Sequence, residues 1–215
     1  MSNGLIFDLD GTLVDSLRGI ATSLNLALAD HGKPGHAAAV VRGFIGNGAR
    51  ELVTKALGRA ASDSEIDALE RSFKTHYAVN WATGTDVFPG VPALLKRLSA
   101  AGHRLAVLSN KPHDFTVEIV SHFFPDIEFD AVLGQRPDVP RKPDPAGALE
   151  IAAAFQLPPA ACVMIGDSTM DLETGERAGM YTVAVTWGYH DAGDLLGARP
   201  DVVADSLVDL ERLLP

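Results

Sequence analysis

Short apolar runs that end in polar or glycine residues recur along this chain, and helical segments lie between the later ones. The runs are Gly4 to Leu9, Arg104 to Leu108, Phe129 to Leu133, Ala161 to Ile165 and Tyr181 to Thr186, with a weaker one at Val202 and Val203. They are rich in Val, Ile and Leu without strict alternation, the pattern of strands covered on both faces. The helical segments are Pro92 to Ala101, Asp114 to Phe124, Asp144 to Phe155 and Glu173 to Ala178, and Gly102 and Gly179 stop the first and last. Strands and helices in alternation predict an α/β fold, a parallel sheet with helices on both faces.

One stretch breaks the rhythm. From about Ser16 to Thr85 there is no convincing strand, only helical patterns at Ile20 to Ala29, Ala37 to Val41, Ala49 to Leu57 and Ser64 to Tyr77. Ser62 or Ser64 is placed to cap the last of these. The expectation is a core of residues 1–15 and 86–215, interrupted just after its first strand by an all-helical insert of 16–85.

Size and charge narrow the function classes. The chain has 215 residues, 47% hydrophobic and 21% charged, the values of a globular protein with a substantial core. Its formal net charge of -10 argues against holding nucleic acid by bulk electrostatics. An anionic small substrate would instead need locally placed cations. The single cysteine, Cys162, lies in an apolar run and reads as a small buried hydrophobe. Asp8 and Asp10 interrupt any signal-type apolar segment, and no stretch is long enough to span a bilayer, so a cytoplasmic protein is expected.

In an open parallel sheet, ligands bind beyond the carboxyl ends of the strands, so the residues that follow each strand carry the chemistry. The first run ends in Phe7-Asp8-Leu9-Asp10-Gly11-Thr12. A period of two puts Asp8 and Asp10 on one side, where their carboxylates repel unless a cation sits between them. Mg²⁺ takes such hard oxygen ligands and leaves positions open for phosphate. One carboxylate then suits a nucleophile, the other a general acid and base. An acidic turn before Gly11 is the plainer alternative. The second run ends in Ser109-Asn110-Lys111-Pro112, where Ser109 and Asn110 offer neutral donors to phosphate oxygens, or simply cap a helix. Lys142, in Arg141-Lys142-Pro143-Asp144-Pro145, stands before a helix, an odd place for a cation unless an anion lies between. A fourth strand end reads Gly166-Asp167-Ser168-Thr169-Met170-Asp171, a third source of carboxylate at the same sheet edge.

Taken together, these four segments resemble the haloacid dehalogenase superfamily of phosphatases. Phe7 to Thr12 is similar to the family's first motif, Ser109 to its second, Lys142 to its third and Gly166 to Asp171 to its fourth, all in family order. The resemblance implies a Rossmann-like core with a helical cap after the first strand. It implies that Asp8 is nucleophile and magnesium ligand, and that Asp10 handles the proton while its main-chain carbonyl binds the metal. Ser109 and Lys142 would hold phosphoryl oxygens, with Thr12 and Asn110 as further substrate contacts, and Lys142 would offset the charge of Asp8. Asp167 would be the second carboxylate ligand, with Asp171 binding through water or orienting Lys142. Positioned cations would then be the main source of acceleration, since the transition state spreads negative charge.

Within the superfamily the likeness is to phosphoglycolate phosphatases, through Phe44-Ile45-Gly46-Asn47-Gly48-Ala49-Arg50, Val87-Phe88-Pro89-Gly90-Val91, Ser109-Asn110-Lys111-Pro112 and Thr186-Trp187-Gly188-Tyr189. It implies a small phosphorylated metabolite as substrate, with Arg50 either meeting a substrate carboxylate or lying solvated on its helix. His76 is read as structural. The presence of Asp10 argues against dehalogenation, and Lys33, Lys55 and Lys74 sit in no motif for a phosphonatase Schiff base. A pyrophosphatase, a nucleotide monophosphatase, a β-phosphoglucomutase or a non-catalytic binding protein on the same fold stay open as alternatives.

Overall fold

A computed structural model describes residues 3–58 and 60–214. In chain order its elements are β1 (Gly4–Phe7), β2 (Val14–Asp15), α1 (Leu17–Asp30), α2 (Ala38–Arg42), α3 (Gly48–Leu57), α4 (Asp63–Asn80) and β3 (Asp86–Val87). Then follow α5 (Val91–Ala100), β4 (Arg104–Pro112), α6 (His113–Phe123), β5 (Ala131–Gln135), α7 (Ala146–Phe155) and β6 (Cys162–Gly166). The chain closes with α8 (Thr169–Ala178), β7 (Tyr181–Val185), α9 (Ala192–Gly197), β8 (Val202–Ala204) and α10 (Leu207–Leu213). It divides into two compact units, Met1–Val14 with Val87–Pro215, and Asp15–Asp86.

The first unit is built on a six-stranded sheet in the order β5-β4-β1-β6-β7-β8, parallel throughout. β1 lies between β4 and β6, so the strand order reverses there, the point at which open α/β sheets bind ligands. Both sheet faces are covered. Ile6, Ala106, Leu108, Cys162 and Met164 pack on Ala148, Ile151, Ala152 and Phe155 of α7. Their strand neighbours Leu5, Phe7, Leu105, Val107, Val163 and Ile165 point the other way and are equally buried. This is why the apolar runs show no alternation. Each fully buried Leu or Ile contributes about 1.5–3 kcal/mol of transfer free energy, so the central strands anchor the unit.

Between its end residues Asp15 and Asp86, which belong to β2 and β3, the regular elements of the second unit are helices among its described residues. Ile20, Leu24, Ala27 and Leu28 form the buried stripe of α1, and Ile66, Leu69, Phe73 and Tyr77 that of α4. Both follow helical spacing, and the two helices pack on one another with α3 against α4. Ser62 caps α4 in a capping box with Glu65.

Element ends differ from the sequence expectation where the site begins. The first strand stops at Phe7, not Leu9, because the chain curls after Asp8: Thr12, Leu13 and Val14 all donate their N–H to the Leu9 carbonyl. Asp8 and Asp10 therefore stand in a tight loop, not on one strand face. β4 runs on past Leu108 to Pro112, through a register irregularity against β5. The pairs β2–β3 and the helices α9 and α10 carried no clear signal, being two to seven residues long.

Candidate active site

Strand register assembles the site. Phe7 pairs with Val107 on one side and Ile165 on the other, and the Asp8 N–H still bonds to the Ile165 carbonyl at 2.9 Å. Asp8 and Asp167, just past β1 and β6, and Ser109, near the carboxyl end of β4, therefore emerge side by side at one sheet edge. All three are buried.

Lys142 is the hub. Its ammonium donates to Asp8 Oδ1 at 2.7 Å, to Asp171 Oδ1 at 2.6 Å and to the Leu108 carbonyl at 3.0 Å, which uses all three of its protons. The Asn110 side chain fixes the Lys142 backbone from both sides, accepting from its N–H at 2.9 Å and donating to its carbonyl at 3.1 Å. The helix that follows starts at Ala146, whose N–H is capped by Asp144, so the anions that hold Lys142 are Asp8 and Asp171. Asp171 is fully buried, and its other oxygen accepts from the Ser168 N–H and hydroxyl in a capping box at the start of α8.

Asp167 sits on a shelf made for it. Thr12 donates its hydroxyl to Oδ1 at 3.1 Å and the Tyr189 N–H donates to Oδ2 at 2.7 Å. A side chain at Gly11 or Gly188 would collide with this carboxylate, and Gly11 has φ +93°, so both positions suit glycine alone. Trp187 locks the loop by donating Nε1–H to the Thr12 carbonyl at 3.1 Å.

The carboxylate of Asp10 faces elsewhere, accepting from the ammonium of Lys111 at 2.6 Å. Both side chains are largely buried, at 11% and 6% exposure. Ser109 Oγ accepts the Lys111 N–H at 3.3 Å. The sequence reading gave no role to Lys111, Ser168, Trp187 or Tyr189. Lys111 gave no local signal, because its partner Asp10 is distant in the sequence.

Arg50 lies in the helical unit, on α3. Its guanidinium pairs with Asp67, with Asp63 at 3.3 Å and with Glu70 at 3.6 Å, which ties α3 to α4. His76 Nε2 meets Asp30 Oδ2 at 2.6 Å and ties α4 to α1.

Burial dominates the electrostatics. It combines with the Asp171 charge to raise the Asp8 carboxyl to about 7, against the pull of Lys142. Burial and the charge of Asp8 likewise hold Asp167 well above the ordinary carboxylate range. Burial opposes the charge on Lys142, but Asp171 and Asp8 outweigh it and hold the ammonium above its usual range. Oxygens of Asp8, Asp167 and Asp171 lie within 4.8 Å of one another. Three clustered carboxylates with one ammonium, paired to Asp8 and Asp171, are short of positive charge, and a hard divalent cation fits that oxygen set.

Known proteins resemble this chain in sequence and in fold. The sequence matches the family described as haloacid dehalogenase-like hydrolase over residues 3–179. A protein of Psychrobacter arcticus named phosphoglycolate phosphatase is 37% identical, over 95% of this chain and 94% of its own length. One of Cereibacter sphaeroides with the same name is 38% identical, over 88% and 87%. A solved structure from Lactobacillus delbrueckii subsp. bulgaricus superposes with a TM-score of 0.94 at 30% identity, over 99% of this chain and 98% of that one. The chain belongs to the haloacid dehalogenase-like hydrolase family.

Proposed function

We propose that the protein is a Mg²⁺-dependent phosphomonoesterase that acts through an aspartyl-phosphate on Asp8, with 2-phosphoglycolate or a similar small phosphorylated metabolite as substrate. The observation that carries this reading is the convergence of the Asp8, Asp167 and Asp171 carboxylates at the sheet's switch point, with the Lys142 ammonium on Asp8 and Asp171. The substrate is supported by relatives that carry the name phosphoglycolate phosphatase. The helical unit of residues 15–86 is read as the cap.

Asp8, Asp167 and the main-chain carbonyl of Asp10 would hold the ion, with Asp171 behind them. When bound, Mg²⁺ supplies positive charge that lets a phosphate dianion approach a carboxylate. Asp8 attacks phosphorus, the bond from phosphorus to the ester oxygen breaks, and Asp10 gives its proton to the departing alkoxide. Asp10 then takes a proton from water as it attacks the acyl-phosphate, releasing inorganic phosphate and restoring Asp8. Lys142 favours the ionised form of Asp8 against burial and aims it, and Asn110 keeps Lys142 in place. Ser109 is the neutral donor for a phosphoryl oxygen, while Thr12 acts by holding Asp167. The expected result for Asp8→Asn is a loss of p-nitrophenyl phosphate turnover of about a thousandfold or more with the fold intact. Near-normal turnover by that variant would show the reading to be wrong.

A further inference from the structure

Lys111 and Lys142 are the buried cationic side chains among the described residues. Lys142 spends its protons on Asp8, Asp171 and the Leu108 carbonyl. Lys111 is different. It stands at the ligand edge of the sheet, two residues beyond Ser109, with its ammonium on Asp10 at 2.6 Å. Burying an ammonium is costly, and a purely structural ion pair at this place is often no better than apolar packing. A cation held at the mouth of a site has a plainer use, which is to meet an anion brought by the ligand.

Where that anion would sit follows from Asp10. A proton donor must stand within about 3 Å of the oxygen that it protonates. The ester oxygen of the substrate therefore lies beside the Asp10 carboxyl, and Lys111 touches that carboxyl. In a phosphate ester of a 2-hydroxy acid, a single carbon separates the ester oxygen from the carboxylate. A substrate placed for protonation by Asp10 so brings its carboxylate within reach of Lys111. Arg50, the other cation considered for this task, has its guanidinium on Asp63, Asp67 and Glu70.

We propose that Lys111 is the specificity-determining residue that reads the carboxylate of a phosphorylated 2-hydroxy acid. This rests on the reading of Asp10 as proton donor. The test compares kcat/KM for 2-phosphoglycolate with that for 2-hydroxyethyl phosphate, which has an alcohol where the first has a carboxylate, in the magnesium-loaded protein. The native protein should prefer 2-phosphoglycolate. Lys111→Gln should lose about tenfold or more on 2-phosphoglycolate, chiefly in KM, and less than about threefold on 2-hydroxyethyl phosphate. Lys111→Met stands in if that variant does not fold, and Lys111→Arg should keep the preference. No preference in the native protein, a preference that survives Lys111→Gln, or an equal fall on both substrates would overturn the proposal. So would a preference lost in Arg50→Ala in place of Lys111→Gln. Asp10→Asn separates the layers. If it turns over both esters normally, the proton-donor reading falls and takes Lys111 with it. If it loses both while Lys111→Gln keeps its preference, Lys111 alone is wrong.

Discussion

At the scale of single residues, the site is a problem of charge in a dry place. Asp8, Asp167, Asp171 and Lys142 are each at most 8% exposed, so every unpaired charge among them is expensive. Removing one partner from such a cluster typically costs about 3–5 kcal/mol, because the others are left buried and uncompensated. Lys142→Met should therefore lower stability by about that amount in urea unfolding at neutral pH without metal. The loss should shrink toward pH 5, since Asp8, already held at about 7 with Lys142 present, is then protonated and needs no counter-charge. Much of this was legible in the sequence. Asp8, Ser109, Lys142 and Asp167 each come after an apolar run, and such runs can be read from the sequence. Lys111 was not, because its meaning depends on meeting Asp10, 101 positions away.

At the scale of elements, short devices hold the site residues in position. The capping box at the start of α8 is the clearest: Ser168 takes the Asp171 N–H at 3.3 Å and gives its hydroxyl to Asp171 Oδ2 at 2.6 Å. The same contacts that start the helix leave Asp171 Oδ1 facing Lys142. Ser168→Ala should cost about 1–2 kcal/mol in urea unfolding. On the proposed metal site it should also weaken magnesium binding about tenfold by calorimetry, since Asp171 loses its supporting partner. A cost in stability with unchanged metal affinity would separate capping from site support. The loop after β7 plays the matching part for Asp167, through Tyr189 and Trp187. Its sequence, Thr186-Trp187-Gly188-Tyr189, stood out, but which carboxylate it serves depends on β7 lying next to β6.

At the scale of the whole molecule, the site sets a link between pH, metal and stability. A carboxylate whose pKa is raised on folding binds its proton more tightly in the folded state. Its contribution is complete below the unfolded value of 3.8 and is lost as pH rises through about 7, as for Asp8. Asp167 moves in the same direction. Metal-free protein should thus lose stability between pH 4 and pH 8, and Mg²⁺ should restore it most at the alkaline end. At a hundredfold excess over Kd the gain is about 2.7 kcal/mol. For a chain of this size that is a rise in Tm of about 5–10 °C. The check is thermal unfolding with Mg²⁺ or EDTA at pH 5 and pH 8. An equal shift at both values would place the ion away from Asp8 and Asp167. No helix among the described residues is long and apolar enough to cross a membrane.

Local sequence by itself determined the sheet-and-helix alternation, the helical stretch near the N-terminus and the strand-end residues, because those follow from periodicity and from neighbours in the chain. It placed Asp8 and Asp10 together as one carboxylate pair. The tertiary structure gave each its own partner, since β1 ends at Phe7 and the loop beyond it sends Asp8 to Lys142 and Asp10 to Lys111. Which charges meet is a matter of parallel register among β4, β1 and β6, which joins residues a hundred or more positions apart and leaves no trace in any local window.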